Sequence, residues 1–117
     1  MSKKGNLVWL DLETTGLNPR EDYILELATV ITDENLNVIA IGPNLVIHQW
    51  GKCFETMSKW CLETHTKSGL IREVEKSSYT DYKAETETID LIEKYVNKGQ
   101  SPLSDKIHRK FAFGSLR

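Results

Sequence analysis

Near residue 50 the hydrophobic pattern of this 117-residue chain changes period, from alternation to a stripe spaced by three and four. A chain so divided builds strands first and helices afterwards. Residues 6–13, NLVWLDLE, alternate: Leu7, Trp9, Asp11 and Glu13 fall on one face, Val8, Leu10 and Leu12 on the other. Leu7 and Trp9 read as core, so this strand is expected to bury both faces. Residues 23–32, YILELATVIT, are apolar on both faces and predict a central strand. Thr14 to Pro19 is a turn region by its Gly and Pro, and Asp33-Glu34-Asn35 makes the next turn. Residues 36–41 and 44–49 continue as strand, interrupted by Gly42-Pro43. Three successive strands with short connections predict an antiparallel meander across residues 6–49.

After Trp50-Gly51 the period is helical: Phe54, Met57, Trp60 and Cys61 share a stripe. Ser68-Gly69-Leu70 reads as a turn into a short segment, 70–76. A longer helix is expected over about 82–97, with Asp81 as N-cap and Ala84, Thr88, Leu91, Ile92, Tyr95 and Val96 facing inward. Asn97, Gly99 and Pro102 stop it. The predicted class is therefore α/β. From Leu103 to Arg117 neither alternation nor caps continue.

The size fits one domain with a real core. Fifteen Lys and Arg against seventeen Asp and Glu leave a net charge of −2. Proteins that grip long nucleic acid through many phosphates are usually basic, so a long duplex is excluded as substrate. A short anion held through metal ions is compatible with this balance. The charge is uneven: in 104–117, Lys106, Arg109, Lys110 and Arg117 stand against Asp105 alone. No stretch approaches the ~20 apolar residues of a membrane helix. The start, MSKKGNLVWLDLE, has no apolar signal core and is not Arg-rich like a transit peptide, so a cytoplasmic protein without membrane contact is expected. Cys53 and Cys61 have no CxxC spacing and read as free thiols.

Asp11-x-Glu13 is the sharpest chemical feature. Two residues apart on a strand, both carboxylates share a face, about 6.6 Å apart. Such a pair repels and resists desolvation, and a divalent cation relieves both. Rigid oxygen donors suit Mg²⁺ or Mn²⁺. The alternative is a strand that ends at Leu12, leaving both acids in a solvated loop. Gly16 lets the backbone approach a ligand closely, and Leu17 beside it is placed to wedge against a nucleobase. The run Asp33-x-Asn35-x-Asn37 hints at a Ca²⁺ loop, but Val38 stands where its Gly belongs and Asn44 where its Glu belongs. His48, beside Gln49 at a strand end, reads as structural.

The segment LVWLDLETTGLNP, followed by ILELATVITDENLNVIAIGPNLVIHQ and then MSKWCLETHTKSGL, resembles the oligoribonucleases, from about Asn6 to Leu103. These belong to the metal-dependent 3′-to-5′ exonucleases of DEDDh type, built on four acids and a general-base His. The resemblance implies a ribonuclease H-like fold, of which this chain carries the N-terminal meander and the helices after it. It implies that Asp11 and Glu13 are the first two metal-binding and catalytic acids. Leu17 is then the wedge against the bases of a very short RNA, with Trp60 and His65 lining the same pocket by stacking and polar contact. Read alone, Trp60 fits core packing beside Met57 and Cys61, and His65 fits an interaction with a helix dipole. The resemblance also implies a homodimer and a cytoplasmic or mitochondrial setting.

The tail departs from that pattern. Ser101-Pro102-Leu103 opens the segment of the third acid, and SDKIHRKFAFGSLR follows. Aligned on Arg109-Lys110-Phe111, His108 occupies the acid's place; aligned on Ile107-His108, Lys110 does. Asp105 is out of register in both. The fourth acid, the general-base His, the 3′-phosphate contacts and the segment lent by a partner subunit have no counterpart. Residues 1–103 are therefore expected to be the N-terminal part of an exonuclease domain, and 104–117 a divergent basic tail. Two functions follow: a two-metal exoribonuclease for very short RNA, or a non-catalytic remnant that binds nucleotides weakly or joins a full-length subunit.

Overall fold

The computed structural model describes residues 5–18 and 20–97. The readings made on Leu103 to Arg117, including Asp105, His108 and Lys110, lie outside these residues, as does Pro19.

Four strands form one antiparallel sheet: β1 (Leu7–Thr14), β2 (Ile24–Thr32), β3 (Val38–Ile41) and β4 (Leu45–Val46). β2 is central, pairing with β1 on one side and with both β3 and β4 on the other. The last two are one interrupted strand, as the Gly42-Pro43 break predicted. Leu27 faces Leu45 and Val30 faces Ile41, so Ala28 and Thr29 oppose Gly42, Pro43 and Asn44. This is a bulge, one residue in excess. The Gly42 amide still reaches the Thr29 carbonyl at 2.8 Å, but Pro43 has no N–H to give. Absence of a side chain at Gly42 also admits Leu91 from the last helix; a Cβ there would lie 2.6 Å from Leu91 Cδ2. The β2–β3 turn is closed by Asp33, whose carboxylate accepts from the amides of Asn35 and Asn37 and from the Asn37 side chain. The acid that hinted at a Ca²⁺ loop is thus spent on the turn.

A 3₁₀ turn (Gly51–Phe54) leads to α1 (Lys59–Lys67), α2 (Leu70–Lys76) and α3 (Asp81–Tyr95). The predicted stripe 54–61 is thereby cut. Ser58 caps α1 through the Cys61 amide, Cys61 is half-buried, and Trp60 turns outward, 74% exposed. Trp60 is not core. The N-cap of α3 is Thr80, whose hydroxyl accepts from Lys83 N at 3.0 Å; Asp81 sits one residue inside, in the first turn. Gly69 enters α2 at φ 82°, the left-handed conformation a glycine adopts without penalty.

The helices cover the sheet unequally. α3 packs on the face of Val8, Leu10, Leu12, Leu27 and Ile31, contributing Ile89, Ile92, Tyr95 and the following Val96. α2 packs through Leu70 and Val74 on Val46 of the other face and on Leu25, which as the extra residue of a bulge opposite Glu13 and Thr14 leaves the alternation of Leu27 and Ile31. This cover reaches only the Glu13–Glu26 end. The other end stays open, so Trp9 is half-exposed and donates its Nε1–H to Thr32 Oγ1 at 2.9 Å. The expectation that β1 buries both faces fails here. Alternation fixed which residues share a face, but only the placement of helices decides which face is covered. No described helix is long and apolar enough to cross a membrane.

Candidate active site

β1 continues to Thr14, so Asp11 and Glu13 belong to the strand rather than to a loop. Both lie on the face that α3 leaves free. Asp11 is exposed opposite Ala28; Glu13 is half-buried opposite Glu26. Like charges facing each other across an antiparallel pair are unfavourable. Glu26 is steadied by Asn44, whose Nδ2 donates to its Oε2 at 3.0 Å. The helices close a cleft of about 230 Å³ against this end of the sheet, lined by Glu13, Glu26, Thr64, His65, Leu70 and Glu73 among others.

His65 reaches this cleft from the last turn of α1 and is buried. Its Nε2 lies 2.9 Å from the Thr14 carbonyl. A carbonyl only accepts, so Nε2 carries the proton. Cys61, one turn earlier, donates to the carbonyls of Thr14 and Thr15 at 3.6 Å each. Burial pushes the Cys61 thiol up, and the Asp22 and Glu13 carboxylates push it the same way, so it stays protonated and donating. α1 is therefore fastened to the end of the acid-bearing strand.

Leu17 projects from the loop that follows, 80% exposed. Thr15 beneath it is 1% exposed. Of the five residues singled out, Glu13 and His65 share the cleft. Asp11 lies two residues along the same strand face, Leu17 is at the tip of the adjoining loop, and Trp60 stands on the outer side of α1. Glu26, Glu73 and Asp22 escaped the sequence reading. Glu26 was legible in principle, since a hairpin joining 7–14 to 24–32 sets its register against Glu13.

Two oxygen donors on one strand suit a divalent cation whose remaining ligands are water. Among the described residues no three His, Cys, Asp or Glu are grouped to hold a metal. The donor chemistry fits such an ion, with part of its shell supplied by this chain.

The antiparallel meander with its covering helices has counterparts among solved nucleases. The product-bound structure of exonuclease I superposes with a TM-score of 0.63 at 15% identity, over 86% of this chain and 21% of that one. Cell-death related nuclease 4 does so at 0.58 and 20%, over 86% and 34%. The fold is that of exonucleases, present in part. The chain belongs to the exonuclease family RNase_T, which it matches over residues 8–112. It is 48% identical over 100 residues to an oligoribonuclease of Pasteurella multocida, covering 86% of this chain and 54% of that protein. It is 52% identical over 98 residues to an oligoribonuclease of Pseudoalteromonas atlantica, covering 84% and 54%. The chain thus spans about half the length of the curated relatives it matches.

Proposed function

We propose that this chain carries the nucleotide-binding side of a 3′-to-5′ exoribonuclease site for very short RNA. The observation that carries this reading is the coupling of Glu13, His65 and the Leu17 loop at one strand end, through the Thr14 carbonyl. Asp11 and Glu13 are the residues that would hold Mg²⁺ or Mn²⁺. When bound, such an ion supplies Lewis-acid polarisation of a phosphoryl oxygen. The chain's own residues do the rest of the binding. Leu17 offers an exposed apolar edge to a base, and Trp60 an exposed ring on which a base can stack. His65 fixes the strand end that presents the acids. Resemblance to oligoribonucleases supports short RNA as the substrate and a homodimer as the assembly.

The second reading, a binder with little or no turnover, is favoured by one observation: among the described residues, Asp11 and Glu13 alone match the four acids of the family's pattern. The expected result is slow hydrolysis. General-base help from a positioned His is worth typically 10²–10⁴-fold. Among the described residues the one buried His, His65, has its Nε2 committed to the Thr14 carbonyl. The test incubates the 117-residue chain with a dinucleotide and Mn²⁺ beside Asp11→Ala. Binding with turnover far below enzymatic rates supports the reading. Rapid turnover lost in Asp11→Ala establishes a complete enzyme. Failure to bind the dinucleotide removes the short-RNA reading.

A further inference from the structure

We infer that Asp22 is a positioning residue for RNA binding, acting through Leu17 without touching the nucleotide; this rests on the reading of Leu17 as a base contact. Leu17 lies between two pinned peptide groups. On one side the Gly16 carbonyl accepts from Thr14 Oγ1 at 2.6 Å. On the other the Asn18 amide donates to Asp22 Oδ2 at 2.9 Å. The second Asp22 oxygen accepts from Thr15 Oγ1, also at 2.9 Å. That hydroxyl in turn accepts from the Tyr23 amide at 2.9 Å, closing the loop base. A single carboxylate therefore ties both flanks of Leu17 to the start of β2.

The fit is tight as well as bonded. A Cβ on Gly16 would meet three atoms of the Asp22 carboxyl group at 2.4, 2.7 and 2.8 Å. Glycine here is required by Asp22 rather than by the backbone. A loop that merely joins two strands has no need to hold an 80% exposed leucine in one place. The carboxylate is an acceptor for two donors at once, which an amide cannot reproduce: Asn at 22 would turn an N–H₂ toward one of them.

The experiment measures dinucleotide binding by the full chain, by fluorescence titration, for wild type, Leu17→Ala, Asp22→Ala, Asp22→Asn and the Leu17→Ala/Asp22→Ala pair. If the loop without Asp22 spends about a tenth of its time in the binding conformation, affinity falls about tenfold. Asp22→Asn falls between, and Asp22→Ala adds nothing once Leu17 is gone. A thermal melt of each variant checks folding, and Asp22→Asn serves where Asp22→Ala does not fold. Weak binding by Leu17→Ala with normal binding by both Asp22 variants overturns the inference and leaves the RNA reading intact. Equal losses from Asp22→Ala with and without Leu17 also overturn it, since Asp22 would then act elsewhere. Wild-type binding by Leu17→Ala overturns the inference together with the role given to Leu17.

Discussion

His65 Nε2 and the Thr14 carbonyl, 2.9 Å apart, join the end of α1 to the end of the acid-bearing strand. Fifty-one residues separate the two partners in sequence. The bond is part-buried, and removing its donor leaves the Thr14 carbonyl with the weaker S–H donor of Cys61. His65→Phe should keep the packing volume and cost about 1–3 kcal/mol. Urea unfolding measures this, and an unchanged midpoint would show that the contact is idle.

Trp60 should separate binding from stability. With its ring mostly in solvent, Trp60→Ala should leave unfolding within about 0.5 kcal/mol of wild type. Stacking on an aromatic ring is worth about 1–3 kcal/mol per base, so dinucleotide affinity should fall by roughly 5- to 150-fold. A large loss of stability with unchanged affinity would make Trp60 structural.

Glu26 faces Glu13 across the hairpin. Glu26→Gln removes the like charge and keeps an acceptor for Asn44. At low ionic strength and without divalent ions it should stabilise the fold by about 0.2–1 kcal/mol. The gain should shrink in high salt, where surface charges are screened. Thermal melts at two salt concentrations read this directly; destabilisation at low salt would mean that the two carboxylates do not repel.

Metal binding should be weak and should depend on Asp11. Calorimetric titration with Mn²⁺ is expected to show heat in wild type and none in Asp11→Ala. Tight binding that survives the substitution would place the ligands elsewhere.

Two aspartates should oppose each other in acid. Hydrogen bonds from Asn37, side chain first and then backbone, lower Asp33 below the usual 3.8. Its stabilising share is present above 3.8 and is lost as pH falls through the depressed value. Burial raises Asp81 above 3.8, against the hydrogen bond from Gln49. Its share is complete below 3.8 and lost as pH rises through the elevated value. Asp33→Asn should therefore flatten the loss of stability at acid pH, whereas Asp81→Asn, which keeps an acceptor for Gln49, should raise stability at neutral pH. Denaturant melts from pH 2 to 7 on both variants check the signs; parallel curves would refute them.

The order of elements was legible in the sequence because it rests on local periods. Alternation over 6–13 and apolarity over 23–32 set a first strand and a central one. Gly42-Pro43 marked the break between β3 and β4, and spacings of three and four set the inner face of α3. Asp11 and Glu13 were bound to share a face once β1 was a strand. What local pattern does not contain is which face a distant helix covers. Trp9 reads like core and is half-exposed because α2 reaches only the far end of its face. Trp60 shares the apparent stripe of Met57 and Cys61, yet Ser58 restarts the helix and turns the ring outward. Glu26 entered the site through the hairpin register, which the sequence contained but did not single out, whereas Asp22 entered through a loop closure fixed by hydrogen bonds that spacing alone does not predict.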